Sequence, residues 1–282
     1  MATKKAASTK KKAPVKASTS SAAKTTVKTV KTVSVSASQS GLSSHIVTSL
    51  RSAKLMRALA AEFIGTFLLA GVIIAGQGQP IFVLFALVGI VLLVGAISGA
   101  HVNPAITIGA WATRRIGWLR AVGYIVVQFL GAAVAYLVFS AFIGGAAPVS
   151  EEAQQFSQAA GPTLFAAADV TAEALAGKEW YIFFAELLGA SILGLAYASA
   201  TRTVDRLTGA FTIGLGIFVA LMITVTVAGY VAASAILNPA VAFALQAYQP
   251  DVLAYAIYAL APIIGGVLGF VVHDLVRTKE VI

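Results

Sequence analysis

The sequence predicts an all-α membrane protein, with six transmembrane helices and two re-entrant half-helices arranged as an inverted repeat. Three observations predict it. The 282 residues are 59% hydrophobic and only 11% charged, the balance of an integral membrane protein rather than a soluble domain. Six apolar runs, at about 58–76, 81–97, 121–147, 180–200, 207–228 and 252–273, are each about long enough to cross a hydrocarbon core of ~30 Å. Finally, the triplet Asn-Pro-Ala occurs twice, at Asn103-Pro104-Ala105 and Asn238-Pro239-Ala240, each time after a long apolar stretch and ahead of a short one.

Residues 1–56 come first, rich in Lys, Ala, Ser, Thr and Val and free of acid. Such a segment is expected to be a disordered basic tail. The first span carries Glu62 and the second ends near Ser98. From there to Ala112 His101 is the one titratable group, so the first triplet lies at membrane depth. Asn is a good N-cap and Pro is favoured at the first helical position, so the triplet starts a helix sharply. The third span follows, then an Ala-rich, acidic loop at about 143–179. The fourth span carries Glu186. No charge separates Arg206 from Asp251, an interval too long for one helix, so it holds the fifth span and a second half-helix begun by Asn238. Non-helical backbone at that depth is tolerated only inside protein or against a wet cavity, which places both triplets in the interior.

Orientation follows from the loops. With the N-terminus inside, 19 of the 20 Lys and Arg lie in inner segments, Lys178 being the exception. Both termini are therefore expected in the cytoplasm. Ala61-Glu62-Phe63-Ile64-Gly65 matches Ala185-Glu186-Leu187-Leu188-Gly189 at an offset of 124, and the triplets match at 135. Three spans per half is odd, so the second half is inverted, and the functional site is expected at the midplane where the halves meet. The expected domains are the tail 1–56, a channel domain 57–275 (repeats 57–147 and 179–275) and a short C-terminus 276–282.

These residues resemble the aquaporin, or major intrinsic protein, family over about 57–275. The most specific stretch is Ser98-Gly99-Ala100-His101-Val102-Asn103-Pro104-Ala105-Ile106-Thr107. Ala61 to Thr66, Tyr124 through Gln128 to Gly131-Ala132, and Pro262 with Gly265 and Gly266 support it. The resemblance implies a passive channel for water and small neutral solutes (urea, ammonia, hydrogen peroxide, glycerol) that excludes protons and ions. It also implies a homotetramer with one pore per subunit.

In that reading Asn103 and Asn238 each cap a half-helix and turn an amide N–H to the lumen. Carbonyls of 98–102 and 233–237 supply acceptors, and the helix ends disfavour cations. Glu62 and Glu186 either couple protons or, more simply, hold the re-entrant loops through backbone N–H groups. His101 is either a gating or a structural histidine. The family's aromatic/arginine filter usually has Arg after the second triplet. Here Val241 stands there, as in some plant vacuolar members, which implies a wider and more apolar constriction. Its other positions are Val83, with Phe82 and Phe85 close by, Ala235 and a fifth-span residue. For the last, a gap-free count gives Thr226 and an alignment on Ile213-Gly214-Leu215 gives Leu221. Ala242 replaces the Asp typical of glycerol facilitators, which tilts the reading toward water or mixed transport.

No catalytic constellation is present, so an enzyme is not expected. No cofactor or metal is expected, and the absence of cysteine excludes disulfides. The expected partners are a second copy of the chain, the permeants, and membrane lipids, with anionic headgroups drawn to the tail. Nucleic acid is not expected. The plasma membrane is the expected location. The alternative function is a secondary transporter, which inverted repeats with broken helices also build.

Overall fold

The computed structural model describes residues 52–144, 164–248 and 250–277; positions 1–51 of the basic tail and the middle of the long loop lie outside them, while Ala53 to Met56, expected in the tail, already belong to the first helix. The described chain is helical: α1 (Ala53–Ala75), α2 (Pro80–Ser98), α3 (Pro104–Ala112), α4 (Trp118–Gly144), α5 (Ala172–Leu175), α6 (Glu179–Ala200), α7 (Arg206–Tyr230), α8 (Pro239–Ala244) and α9 (Val252–Val276). Six of these, α1, α2, α4, α6, α7 and α9, are long and apolar enough to cross a membrane. The nine residues of α3 and the six of α8 extend only ~14 and ~9 Å at 1.5 Å per residue. Both stop short of crossing.

One end of the bundle carries Arg114, Arg115, Arg202 and Arg206, and the other carries Asp169, Glu173 and Glu179. We call them the basic and the acidic end. The spans are all but featureless in hydrophobic periodicity, since lipid covers the faces that water would in a soluble bundle.

Backbone-to-backbone approach through glycine organises the two halves in the same way. A Cβ on Gly131 would lie 2.4 Å from Phe63 O, and one on Gly265 would lie 2.1 Å from Leu187 O. Phe63 and Leu187 are themselves repeat-related. Close packing of α4 on α1 is thereby copied in α9 on α6. The Gly265 and Gly269 pair serves this contact within the chain, as Gly269 meets Ser191 O.

The sixth span is not a plain α-helix. It passes through a π-helical turn at Ala256–Leu260 just before Pro262. Pro262 has no N–H, so Tyr258 O cannot accept its ordinary bond from four residues on. The Tyr248 hydroxyl lies 3.1 Å from that oxygen and 3.1 Å from Pro239 O. A defect in α9 is thus used to tie it to the start of α8.

Candidate functional site

Each re-entrant loop is held by a carboxylate from the first span of its half. Glu62, fully buried, accepts from His101 N at 2.9 Å and from Val102 N at 2.7 Å. Glu186, equally buried, accepts from Ile236 N at 2.7 Å and Leu237 N at 2.8 Å. The residues so held carry strained backbone, with φ of 43° at Val102 and 59° at Leu237. Such a conformation costs about 1–3 kcal/mol in a residue with a Cβ. Two hydrogen bonds on each carboxyl, at about 0.5–1.5 kcal/mol each, offset it.

The motif Glu-x-x-Gly follows from the same geometry. A Cβ on Gly65 would sit 2.5 Å from Val102 Cγ1, and one on Gly189 would sit 2.6 Å from Leu237 Cδ2. The glutamate fixes the loop residue's amide, and the glycine makes room for its side chain. A further pair completes each loop. Tyr124 Oη donates to Ser98 O at 2.7 Å, and Tyr258 Oη donates to Ser234 O at 3.1 Å. The two tyrosines are 134 residues apart, close to the triplet offset, so the repeat was the signal that could have found Tyr258.

With the loops so held, the two triplets meet. Asn103 Oδ1 accepts from Ala105 N at 2.8 Å, and Asn238 Oδ1 accepts from Ala240 N at 3.0 Å. Each caps its own helix while its amide reaches across. Asn103 Nδ2 donates to Leu237 O, and Asn238 Nδ2 donates to Val102 O, both at 2.9 Å. One of the two N–H groups on each Nδ2 is taken by the opposite loop, as is a lone pair on each facing carbonyl.

A central cavity adjoins this junction, bordered by Asn103 and Asn238 and otherwise mostly by apolar side chains. The volume open to the centre of a water-sized sphere is about 30 Å³, where one water needs roughly 10–15 Å³ by that measure. That is room for about two or three waters.

Val83, Leu221, Ala235 and Val241 line the cavity on its acidic side. Their side chains offer no hydrogen bond. Val83, Leu221 and Leu245 are buried with Val241 around that space. Thr226 is corrected. It lies exposed on α7, donates to Met222 O at 2.8 Å, and does not border the cavity. Five residues along an α-helix turn a side chain by ~140° beyond a full revolution, so α7 cannot present both. Phe82 and Phe85 also face outward, 54% and 60% exposed.

Toward the basic end the cavity is bordered by His101 and Tyr197. Tyr197, overlooked in the sequence, stands one turn beyond Leu193 on α6 and donates to Ala100 O at 2.8 Å. His101 Nδ1 lies 3.3 Å from Thr107 Oγ1. The same two residues border a second, wider cavity of about 350 Å³ by the same measure, which opens among Arg115, Arg206 and Asp205. Asp205, at the mouth, caps α7, and its hydrogen bonds from Thr208 hold that carboxyl below the usual range. Arg115 is held in a bidentate pair with Asp274 at 2.8 and 3.1 Å. Among the described residues no group of acids and histidines could hold a metal.

Residues 49–273 match the family model described as Major intrinsic protein. The chain is 32% identical over 246 residues to Aquaporin NIP3-1 of Oryza sativa subsp. japonica, covering 80% of this chain and 70% of that one. It is 29% identical over 204 residues to Aquaporin AqpM of Methanothermobacter marburgensis, covering 69% and 74%. The solved aquaglyceroporin of Plasmodium falciparum shares the fold, with a TM-score of 0.58 at 22% identity over 79% of this chain and 96% of that one.

Proposed function

The chain belongs to the major intrinsic protein family, and from that premise we propose how its residues move solute. It is an integral, multi-pass membrane protein and a passive channel for water and small neutral solutes. In our reading the permeation path runs from the acidic end through the central cavity, past the paired asparagines, and out by the basic vestibule. The observation that carries this is the narrow cavity at the junction of the two triplets.

Asn103 and Asn238 act there as donors. Each has one N–H of its amide left after the cross-bond, and that donor orients a passing water by its oxygen. A water so held cannot also accept from both neighbours in file, which breaks the chain along which protons hop. The N-terminal dipole of α3 adds a further charge against cations. Val83, Leu221, Ala235 and Val241 form the filter, an apolar ring that binds permeants weakly enough to let them leave. Glu62 and Glu186 serve as anchors, with both oxygens of each turned to backbone. Among the described residues the cavity borders on no carboxylate, so the ion-coupled transporter reading lacks an acid to carry its coupling.

The balance of Lys and Arg supports cytoplasmic termini and a basic end facing inward. Exposed apolar faces on the spans, Leu93 and Leu137 among them at 68% and 64%, suit both lipid and neighbouring copies. A homotetramer is the assembly we propose. The basic tail suits anionic headgroups of a cell membrane.

Stopped-flow shrinkage of reconstituted liposomes after an osmotic step tests the reading. Water efflux well above that of empty liposomes is expected, with re-swelling in urea or glycerol as the measure of solute passage. Val241→Arg is expected to lower that re-swelling at least several-fold, by adding volume and a fixed charge to an apolar ring. No water flux above empty liposomes from folded, inserted protein would overturn the channel.

A further inference from the structure

We propose that a second constriction, a hydrogen-bonding neck at the basic end made by His101 and Tyr197, adds to the apolar filter in discriminating among permeants. This rests on the channel reading and adds to it where selection occurs. These two residues border both the narrow central cavity and the wide basic vestibule, so a solute moving from one space to the other passes along them.

The inverted repeat supplies an internal comparison. Tyr197 corresponds to Ile73 at the span offset of 124, and His101 corresponds to Ile236 at the triplet offset of 135. All four border the central cavity. One end of the cavity thus has two isoleucines where the other has an imidazole and a phenol. The ring of Val83, Leu221, Ala235 and Val241 keeps the isoleucine end free of side-chain donors. Beyond the asparagines, a solute meets its hydrogen-bonding side chains at the basic end.

The neck is braced rather than mobile. Tyr197 Oη donates to Ala100 O at 2.8 Å and lies 3.2 Å from His101 O, which fixes phenol against loop. The imidazole stands edge-on to Tyr124 and to Tyr197, with centroids 5.5 and 6.4 Å away. Behind His101 Nδ1, Thr107 Oγ1 accepts from Gln128 Nε2 at 2.9 Å, and Gln128 Nε2 is also 2.8 Å from Glu62 Oε2. The second half has Ala242 and Pro262 at the positions matching Thr107 and Gln128, and no such chain. With Nδ1 engaged, Nε2 is the ring nitrogen left to a permeant. Its partner must be a small neutral molecule that exchanges one hydrogen bond with an imidazole in passing.

The test compares wild type, His101→Ala and His101→Gln in liposomes by urea permeability relative to water. The Glu62 bond to His101 uses the backbone N–H, so truncation leaves the loop anchor in place. His101→Ala is expected to raise the urea-to-water ratio about fivefold or more, because truncation widens the neck for the larger solute and takes from water a hydrogen-bonding partner worth about that factor. His101→Gln, which keeps a hydrogen-bonding group of similar reach, is expected to bring the ratio back within about twofold of wild type. An unchanged ratio in a conducting His101→Ala protein overturns the neck while leaving the channel intact. Absence of flux in wild type overturns the channel instead.

His101→Cys gives a second readout should the alanine variant fail to insert. The chain contains no cysteine, so this thiol is unique. Its modification by a small methanethiosulfonate is expected to stop water flux. Flux that survives complete labelling overturns the proposal.

Discussion

At the scale of single residues, Glu62 and Glu186 show how a buried carboxyl serves as an anchor for backbone. Each is surrounded by amides that already point at it, and each holds a backbone turn that a Val or a Leu would not adopt unaided. Glu186→Gln keeps one carbonyl oxygen but faces two backbone donors and brings two more N–H groups of its own. Leaving Leu237 N or Ile236 N without a partner costs about 1–3 kcal/mol. The variant is expected to melt several degrees below wild type in a thermal unfolding assay and to lose water flux in step, since the strained turn also carries the carbonyl that Asn103 holds. An unchanged melting temperature would show that the anchor does not support the turn. These residues were legible from the sequence because an ionisable group in an apolar span is rare, and two at matching positions are rarer. Tyr197 and Ile73 were not legible. An aromatic or aliphatic residue within an apolar span looks the same whether it faces lipid, core or lumen, and rotation about the helix axis decides which.

At the scale of elements, hydrophobic length alone located the six spans, because the thickness of a bilayer leaves little freedom. The half-helices were legible from Asn-Pro-Ala for a related reason, as a cap followed by proline has one place in a helix. The fifth-span filter residue was not. The helix α7 runs on to Tyr230, and seven residues then lead to Asn238, where only four separate α2 from Asn103. An offset that holds for the triplets therefore fails on the helix before them, and Thr226 rotates off the lumen. The glycine contacts admit a sharper test. Gly131→Val and Gly265→Val place side chains where Phe63 O and Leu187 O stand, and a carbonyl in a helix cannot move without its neighbours. Each is expected to abolish the monodisperse peak in size-exclusion chromatography of detergent-solubilised protein. Gly229→Val, in a position with open space beside it, is expected to leave that peak in place. Equal behaviour of all three would show that these helix contacts are loose.

At the scale of the whole molecule, the two halves are joined by a long loop, but what registers them is the reciprocal bonding of Asn103 to Leu237 O and Asn238 to Val102 O. Neither half can satisfy these groups alone. A chain cut between residues 144 and 164, with both pieces produced together, is expected to recover water flux in liposomes, and either piece alone to give none. Flux from one piece alone would show that the lumen is not shared. Because the lumen is the seam between two associating bodies, it is subject to the rules of a subunit interface. Its residues are selected at once for what they pass and for how tightly they hold the halves together, so a change that loosens the seam also widens the path. Adaptation of this protein to a new solute is therefore constrained less by the chemistry of that solute than by the binding energy its interface can spare.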